Sequence, residues 1–108
     1  MNEEYKKWAL VTGGSKRIGA TIVETLHNNG FNVAIHYNSS SDAADQLCAE
    51  LNAKKQDSSI AIGADLIDQD SLDNLIPLLI ETTQRLDVLV NNASTFYPTP
   101  IEKIALED

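Results

Sequence analysis

The sequence has little of several things, and each shortage narrows what the protein can be. Cysteine occurs once, at Cys48, so no intrachain disulfide can form and a reducing compartment is the simplest home. Basic residues are scarce: eight Lys and Arg stand against sixteen Asp and Glu, a net charge of −8. That balance argues against nucleic acid and against an anionic membrane surface as main partners. No apolar run approaches the ~20 residues of a membrane span. The N-terminal Met1-Asn2-Glu3-Glu4-Tyr5-Lys6-Lys7 carries acids and no apolar stretch, which is unlike a signal peptide. There is no repeat, low-complexity segment or interdomain linker, and no cluster of His and Cys to suggest a metal. What remains is 108 residues, 43% apolar and 22% charged. That describes a soluble, cytoplasmic, single-domain chain with enough length for one core.

Apolar runs and helical apolar spacing alternate along it. Trp8-Ala9-Leu10-Val11 reads as a buried strand that ends at Thr12-Gly13-Gly14. Ile18, Ile22, Val23 and Leu26 then mark one face of a helix stopped by Asn28-Asn29-Gly30, with His27 expected on its surface. Phe31 and Val33-Ala34-Ile35 make a second strand, followed by the polar run Asn38-Ser39-Ser40-Ser41. Ala43, Ala44, Leu47, Cys48 and Leu51 recur at helical spacing, which turns Cys48 toward the core. Ile60-Ala61-Ile62 is a third strand leading to Gly63-Ala64-Asp65, and Leu72, Leu75, Ile76, Leu79 and Ile80 form a third helical face. Pro77 falls inside that face, so the helix should kink there or begin late; a kink is the favoured reading. Val88-Leu89-Val90 is a fourth strand. After the irregular stretch from Asn91 to Thr99, the run Thr99-Pro100-Ile101-Glu102 resembles a capped helix start.

This alternation calls for α/β architecture, a Rossmann-type doubly wound parallel sheet with helices on both faces. Right-handed crossovers give strand order 3-2-1-4, and winding reverses between strands 1 and 4. Ligands of such folds sit beyond the carboxyl ends of the strands at that reversal. The loops there are Thr12 to Ile18 and Asn91 to Pro98. In the first, Gly13, Gly14 and Gly19 allow a tight turn and a close approach of backbone to a pyrophosphate. The helix that follows offers free N–H groups and a partial positive charge. A plain strand-to-helix turn is the rival reading of the same glycines. A P-loop is not, because Lys16-Arg17 precedes Ile18 and no Lys-Ser or Lys-Thr pair closes the motif.

Thr12-Gly13-Gly14-Ser15-Lys16-Arg17-Ile18-Gly19 resembles the cofactor loop of the short-chain dehydrogenase/reductases. Asp87-Val88-Leu89-Val90-Asn91-Asn92-Ala93-Ser94 resembles the family's second marker at the matching distance, so the likeness covers nearly the whole chain. Two departures are informative. Arg17 stands at the loop's middle glycine, and Ser94 stands where glycine is usual. Both, together with Phe96-Tyr97-Pro98-Thr99-Pro100, resemble the pteridine reductases within the family, which reduce biopterin and folate-type pterins with NADPH. The resemblance implies cofactor contacts at Gly13, Ser15, Lys16, Arg17, Ile18, Gly19, His36, Tyr37, Asn38, Ser39, Ser40, Asp65, Leu66, Asn92, Ala93 and Ser94. It implies pterin contacts at Arg17, Ser94 and Phe96, with Phe96 stacking on a flat heterocycle, and a homo-oligomer in full-length form.

The residues themselves bear on NADP against NAD. An NAD site carries an acid at the end of strand 2 for the ribose 2′-hydroxyl, and Ile35-His36-Tyr37-Asn38-Ser39-Ser40 has none. Asp42 comes later and suits the first turn of helix 2. Asn38, Ser39 and Ser40, with Lys16 or Arg17 across the cleft, suit a 2′-phosphate, although a Ser-rich helix cap would look the same. The reading taken is NADP(H). Other residues have two readings as well. Asp65 can accept from the adenine amino group or serve as a loop acid or helix cap. Asn92 can line the ribose or tie the strand end together. Arg17 is either a solvated cation or, since a cation opposes the dipole at a helix start, the partner of an anionic ligand. His36 reads as a packing or cofactor-edge residue rather than a catalytic one.

The family's proton donor is a Tyr-x-x-x-Lys, and these 108 residues contain none. No catalytic residue is therefore assigned, and the chain alone is expected not to turn over. The expectation is the NADP-binding half of a short-chain reductase, with strand 4 open along its inner edge. Two other readings stay open: a non-catalytic nucleotide-binding or interaction module, and a fragment of another short-chain reductase such as one acting on 3-oxoacyl thioesters.

Overall fold

A computed structural model describes residues 7–14, 17–39, 41–66 and 69–92. The elements are β1 (Trp8–Val11), α1 (Arg17–Asn28), β2 (Asn32–Tyr37), α2 (Asp42–Lys54), β3 (Ser59–Gly63), α3 (Gln69–Thr83) and β4 (Val88–Val90). The four strands form one sheet in the order β3-β2-β1-β4, and each neighbouring pair is parallel. The expected α/β class and strand order both hold. The capped start at Thr99 lies outside the described residues.

Alternation along the strands sends successive side chains to opposite faces, and each face has its own core. Val11, Val33 and Ile35 pack with Val23 of α1 and with Ala44, Leu47 and Leu51 of α2. Leu10 and Ala34 pack on the other face with Leu66 and with Leu72, Leu75 and Leu79 of α3. A sheet covered on both sides explains why β1 and β2 read as continuous apolar runs. Cys48 packs half-buried against the first of these cores, as its spacing implied.

Three expectations about faces need correction. The inward stripe of α1 is Gly19, Val23 and His27, displaced by one position from the expected one. Ile18 is 70% exposed as a result, because it stands in the first turn, at the edge of the buried stripe. His27, expected at the surface, is buried at 6% exposure, and its Nε2 lies 2.7 Å from the Ser58 hydroxyl. In α3 the stripe runs through Leu72, Leu75, Leu79 and Thr83, which leaves Ile80 at the margin, 37% exposed. The helix also continues through Pro77 rather than beginning after it.

Candidate functional site at the carboxyl ends of the strands

The ends of β1 and β4 are tied together first. The Thr12 N–H donates to the Val90 carbonyl at 3.0 Å, and the Thr12 hydroxyl donates to Asn91 Oδ1 at 3.1 Å. Asn92 Nδ2 donates to the Gly13 carbonyl at 3.2 Å. Asn92 thus closes the seam between the glycine loop and β4, the tying role that its amide allowed. Thr12 and Asn91 were absent from the expected site. The signal for Thr12 was a hydroxyl at the end of an apolar strand, now fully buried.

Glycine is required at two points of this loop. Gly13 has φ 61°, in the left-handed region where a side chain is strained. At Gly19 an added Cβ would overlap the Gly13 carbonyl oxygen and stand 2.8 Å from Asn92 Nδ2 and 2.9 Å from Gly14 Cα. The absent side chain is what lets the first turn of α1 press against the loop.

Arg17 is the anomaly. It opens α1 with φ 43°, a left-handed conformation that costs a residue with a Cβ about 1–2 kcal/mol. Among the described residues the other non-glycine positive φ values belong to Gln84, directly after α3, where a left-handed residue is an ordinary way to end a helix, and to Asp57, in the turn between α2 and β3. Nothing about starting a helix demands it. Arg17 is exposed, and the first turn of α1 holds no acid. The first turn of α2, in contrast, holds Asp42 and Asp45, as expected for Asp42. The open positive end facing the site therefore belongs to α1.

Beneath the loop lies His36, with none of its surface exposed. Its Nδ1 accepts from the Gly13 N–H at 2.9 Å, and its Nε2 is 2.7 Å from the Ala64 carbonyl oxygen. A carbonyl only accepts, so Nε2 carries the proton and the ring is neutral. Burial lowers its pKa, partly opposed by the bond to Ala64. The His36 carbonyl also takes the Gly14 N–H at 3.0 Å. Both glycine N–H groups are thereby committed inside the protein, whereas the first turn of a helix such as α1 carries N–H groups without intrahelical partners.

The remaining expected residues are distributed unevenly. Asn38 and Ser39 are exposed just beyond β2, and Ser41 caps α2 without a side-chain cap bond. Tyr37 is half-buried, with its ring over Gly63, where an added Cβ would stand 2.7 Å from it. Asp65 is exposed, whereas Leu66 is buried in the α3 core at 6% exposure. Ser15, Lys16, Ser40, Ala93, Ser94 and Phe96 lie outside the described residues. Among the described residues no group of three or more His, Cys, Asp or Glu could hold a metal ion, and no helix is long and apolar enough to cross a membrane.

A parallel sheet in this order, with a glycine loop at its switch point, defines a Rossmann-type fold. The family model described as short chain dehydrogenase matches residues 7–108, and the chain belongs to that family of oxidoreductases. It is 41% identical to pteridine reductase 1 of Leishmania tarentolae, over 86% of this chain and 38% of that protein. It is 39% identical to a 3-oxoacyl-(acyl-carrier-protein) reductase of Synechocystis sp., over 93% of this chain and 40% of that protein. A Staphylococcus aureus reductase of the same name is 42% identical, over 81% of this chain and 35% of that protein. The chain thus spans 35% to 40% of the length of these curated relatives.

Proposed function

We propose that residues 1–108 form a single NADP(H)-binding domain of a short-chain reductase, and that the whole protein reduces pterins or folate-type substrates. The observation that carries this reading is Arg17, held at a strained left-handed φ of 43° where glycine would be free of strain. A cation kept at that cost, at the head of a helix whose dipole opposes it, is accounted for by an anion between them.

The described residues fit the cofactor. Gly13 and Gly19 leave backbone where a pyrophosphate must approach, and the first turn of α1 supplies donors. No acid stands between Tyr37 and Ser39, so nothing repels a 2′-phosphate there. Asp42 and Asp45 make the start of α2 a poor place for it, so Arg17 and Ser39 carry that contact. Asp65, exposed after β3, is free to accept from the adenine amino group. Bound NADPH supplies a hydride. The residues of this chain bind and orient it, and none of them is the proton donor, since the sequence contains no Tyr-x-x-x-Lys.

Titration of the purified protein with NADPH and with NADH, followed by ligand fluorescence, tests this. Tighter binding of NADPH, reduced about tenfold by Arg17→Ala and less by Ser39→Ala, is expected for loss of a charge-assisted phosphate contact. Equal affinities for the two nucleotides, or no binding of either, contradict the reading. A second substrate class is favoured by one observation, the identities of 39% and 42% to 3-oxoacyl-(acyl-carrier-protein) reductases. Binding of a pterin, but not of an acetoacetyl thioester, to the NADPH complex separates the two.

A further inference from the structure

We propose that His36 is the positioning residue of the cofactor site: one buried neutral imidazole sets the glycine loop and the loop after β3 against each other. The claim rests on the NADP(H) reading for its ligand, but its geometry stands independently. Gly13 belongs to the phosphate side of the site and Ala64 immediately precedes Asp65 on the adenine side. The ring spans them with bonds of 2.9 and 2.7 Å. The backbone of the same strand end repeats the link, since the His36 carbonyl takes the Gly14 N–H and the Tyr37 carbonyl takes the Ala64 N–H, at 3.0 and 3.1 Å. The end of β2 is therefore a splint between two loops that are otherwise separate in sequence.

Few side chains could do this. An apolar residue of similar size would leave a buried N–H and a buried carbonyl without partners, and each such group costs about 1–3 kcal/mol. A protonated imidazole would turn an N–H toward the Gly13 N–H, so two donors would face one another and the loop would have to move. Among the described residues, neighbouring elements offer little that titrates. The β1 end presents Thr12, Gly13 and Gly14, and β3 presents Ile62, Gly63 and Ala64. The titratable groups nearest along the chain are Tyr37, half-buried, and Asp65, exposed; α3 adds Asp70 and Asp73, both exposed.

The test uses the 108-residue protein, isotope-labelled, with NADPH as the probe, from about pH 8 to about pH 5. Nuclear magnetic resonance should find the His36 ring protonated at Nε2 alone near neutral pH, and the Gly13 amide should titrate with the midpoint of that ring. NADPH affinity should fall with the same midpoint. His36→Leu should weaken NADPH binding about tenfold near neutral pH and remove the part of the pH dependence that follows the ring, leaving that of the 2′-phosphate, which titrates at about pH 6. His36→Asn, whose Oδ1 can still accept from Gly13, should bind better than His36→Leu and likewise keep only the pH dependence of the 2′-phosphate. NADPH affinity that is flat with pH in the wild type, or His36→Leu binding like the wild type, overturns the proposal. If His36→Leu fails to fold, the wild type decides: a Gly13 amide that does not follow the His36 ring overturns the proposal. If the wild type binds no NADPH, the cofactor reading fails instead. The positioning claim then stands or falls on whether the Gly13 amide follows the His36 ring.

Discussion

Two buried histidines stand at opposite ends of the sheet, and they are wired differently. At the amino-terminal end, His27 Nε2 donates to the Ser58 hydroxyl at 2.7 Å, and Ser58 in turn donates to the Lys55 carbonyl at 2.5 Å. A proton added to His27 leaves that chain of bonds intact. Its pKa is lowered mainly by burial and further by Lys55 and Lys54. At the carboxyl end, His36 uses one nitrogen as an acceptor and the other as a donor, so a proton must break a bond. One end of the sheet is built to stay closed. The other is built around groups whose arrangement can be disturbed, and that is the end where Arg17 holds its left-handed φ and the start of α1 is open.

The largest expected effect is at the carboxyl end. Gly19→Val would drive a side chain into the Gly13 carbonyl and Gly14 backbone, which cannot rotate aside. Destabilisation of about 3 kcal/mol, with loss of NADPH binding, is expected by urea unfolding and by titration. Next is Ser58→Ala at the other end. It strands the buried His27 donor and should cost about 1–3 kcal/mol while leaving the affinity of the folded protein for NADPH unchanged.

In Arg17→Gly, stability and binding should move in opposite directions. Relief of the left-handed strain should raise stability by about 1 kcal/mol while NADPH affinity falls. Acid acts at both ends. Both histidines have pKa values lowered from 6.5, so the unfolded chain takes up their protons first. Stability should be level above about pH 7 and decline as pH falls through 6.5 toward the folded-state values. In His27→Gln the decline should be shallower, with the Gly13 amide still moving. The smallest effect should come from Asp87→Asn. This carboxylate holds the exposed Arg85 guanidinium at 2.7 Å and accepts the Trp8 N–H at 2.9 Å. Such surface pairs add little, so thermal unfolding should barely shift.

What the sequence disclosed follows from how local each feature is. Strand order was legible because continuous apolar runs alternating with helical spacing admit few topologies. The glycines were legible because a tight turn before a helix start is a local requirement. His27 was misplaced because the stripe of α1 begins at Gly19, which carries no apolar signal. Trusting Ile18 instead shifted the face by one position. His36 was legible as a packing or cofactor-edge residue, but its bonds to the two loops were not. Its partners lie 23 and 28 residues away in sequence, and its tautomer is set by backbone groups that any residue would supply. Leu66 shows the converse: a residue expected at the site by resemblance has its side chain in the core.

The most direct test of the account is a map of amide shifts as NADPH is added to the labelled protein. Changes should gather at Gly13, Gly14 and Arg17 to Gly19, at Asn38, Ser39, Asp65 and Asn92, while His27, Ser58, Arg85 and Asp87 stay still. Saturable shifts at the amino-terminal end, or none at the glycine loop, would contradict a cofactor site at the carboxyl ends of the strands.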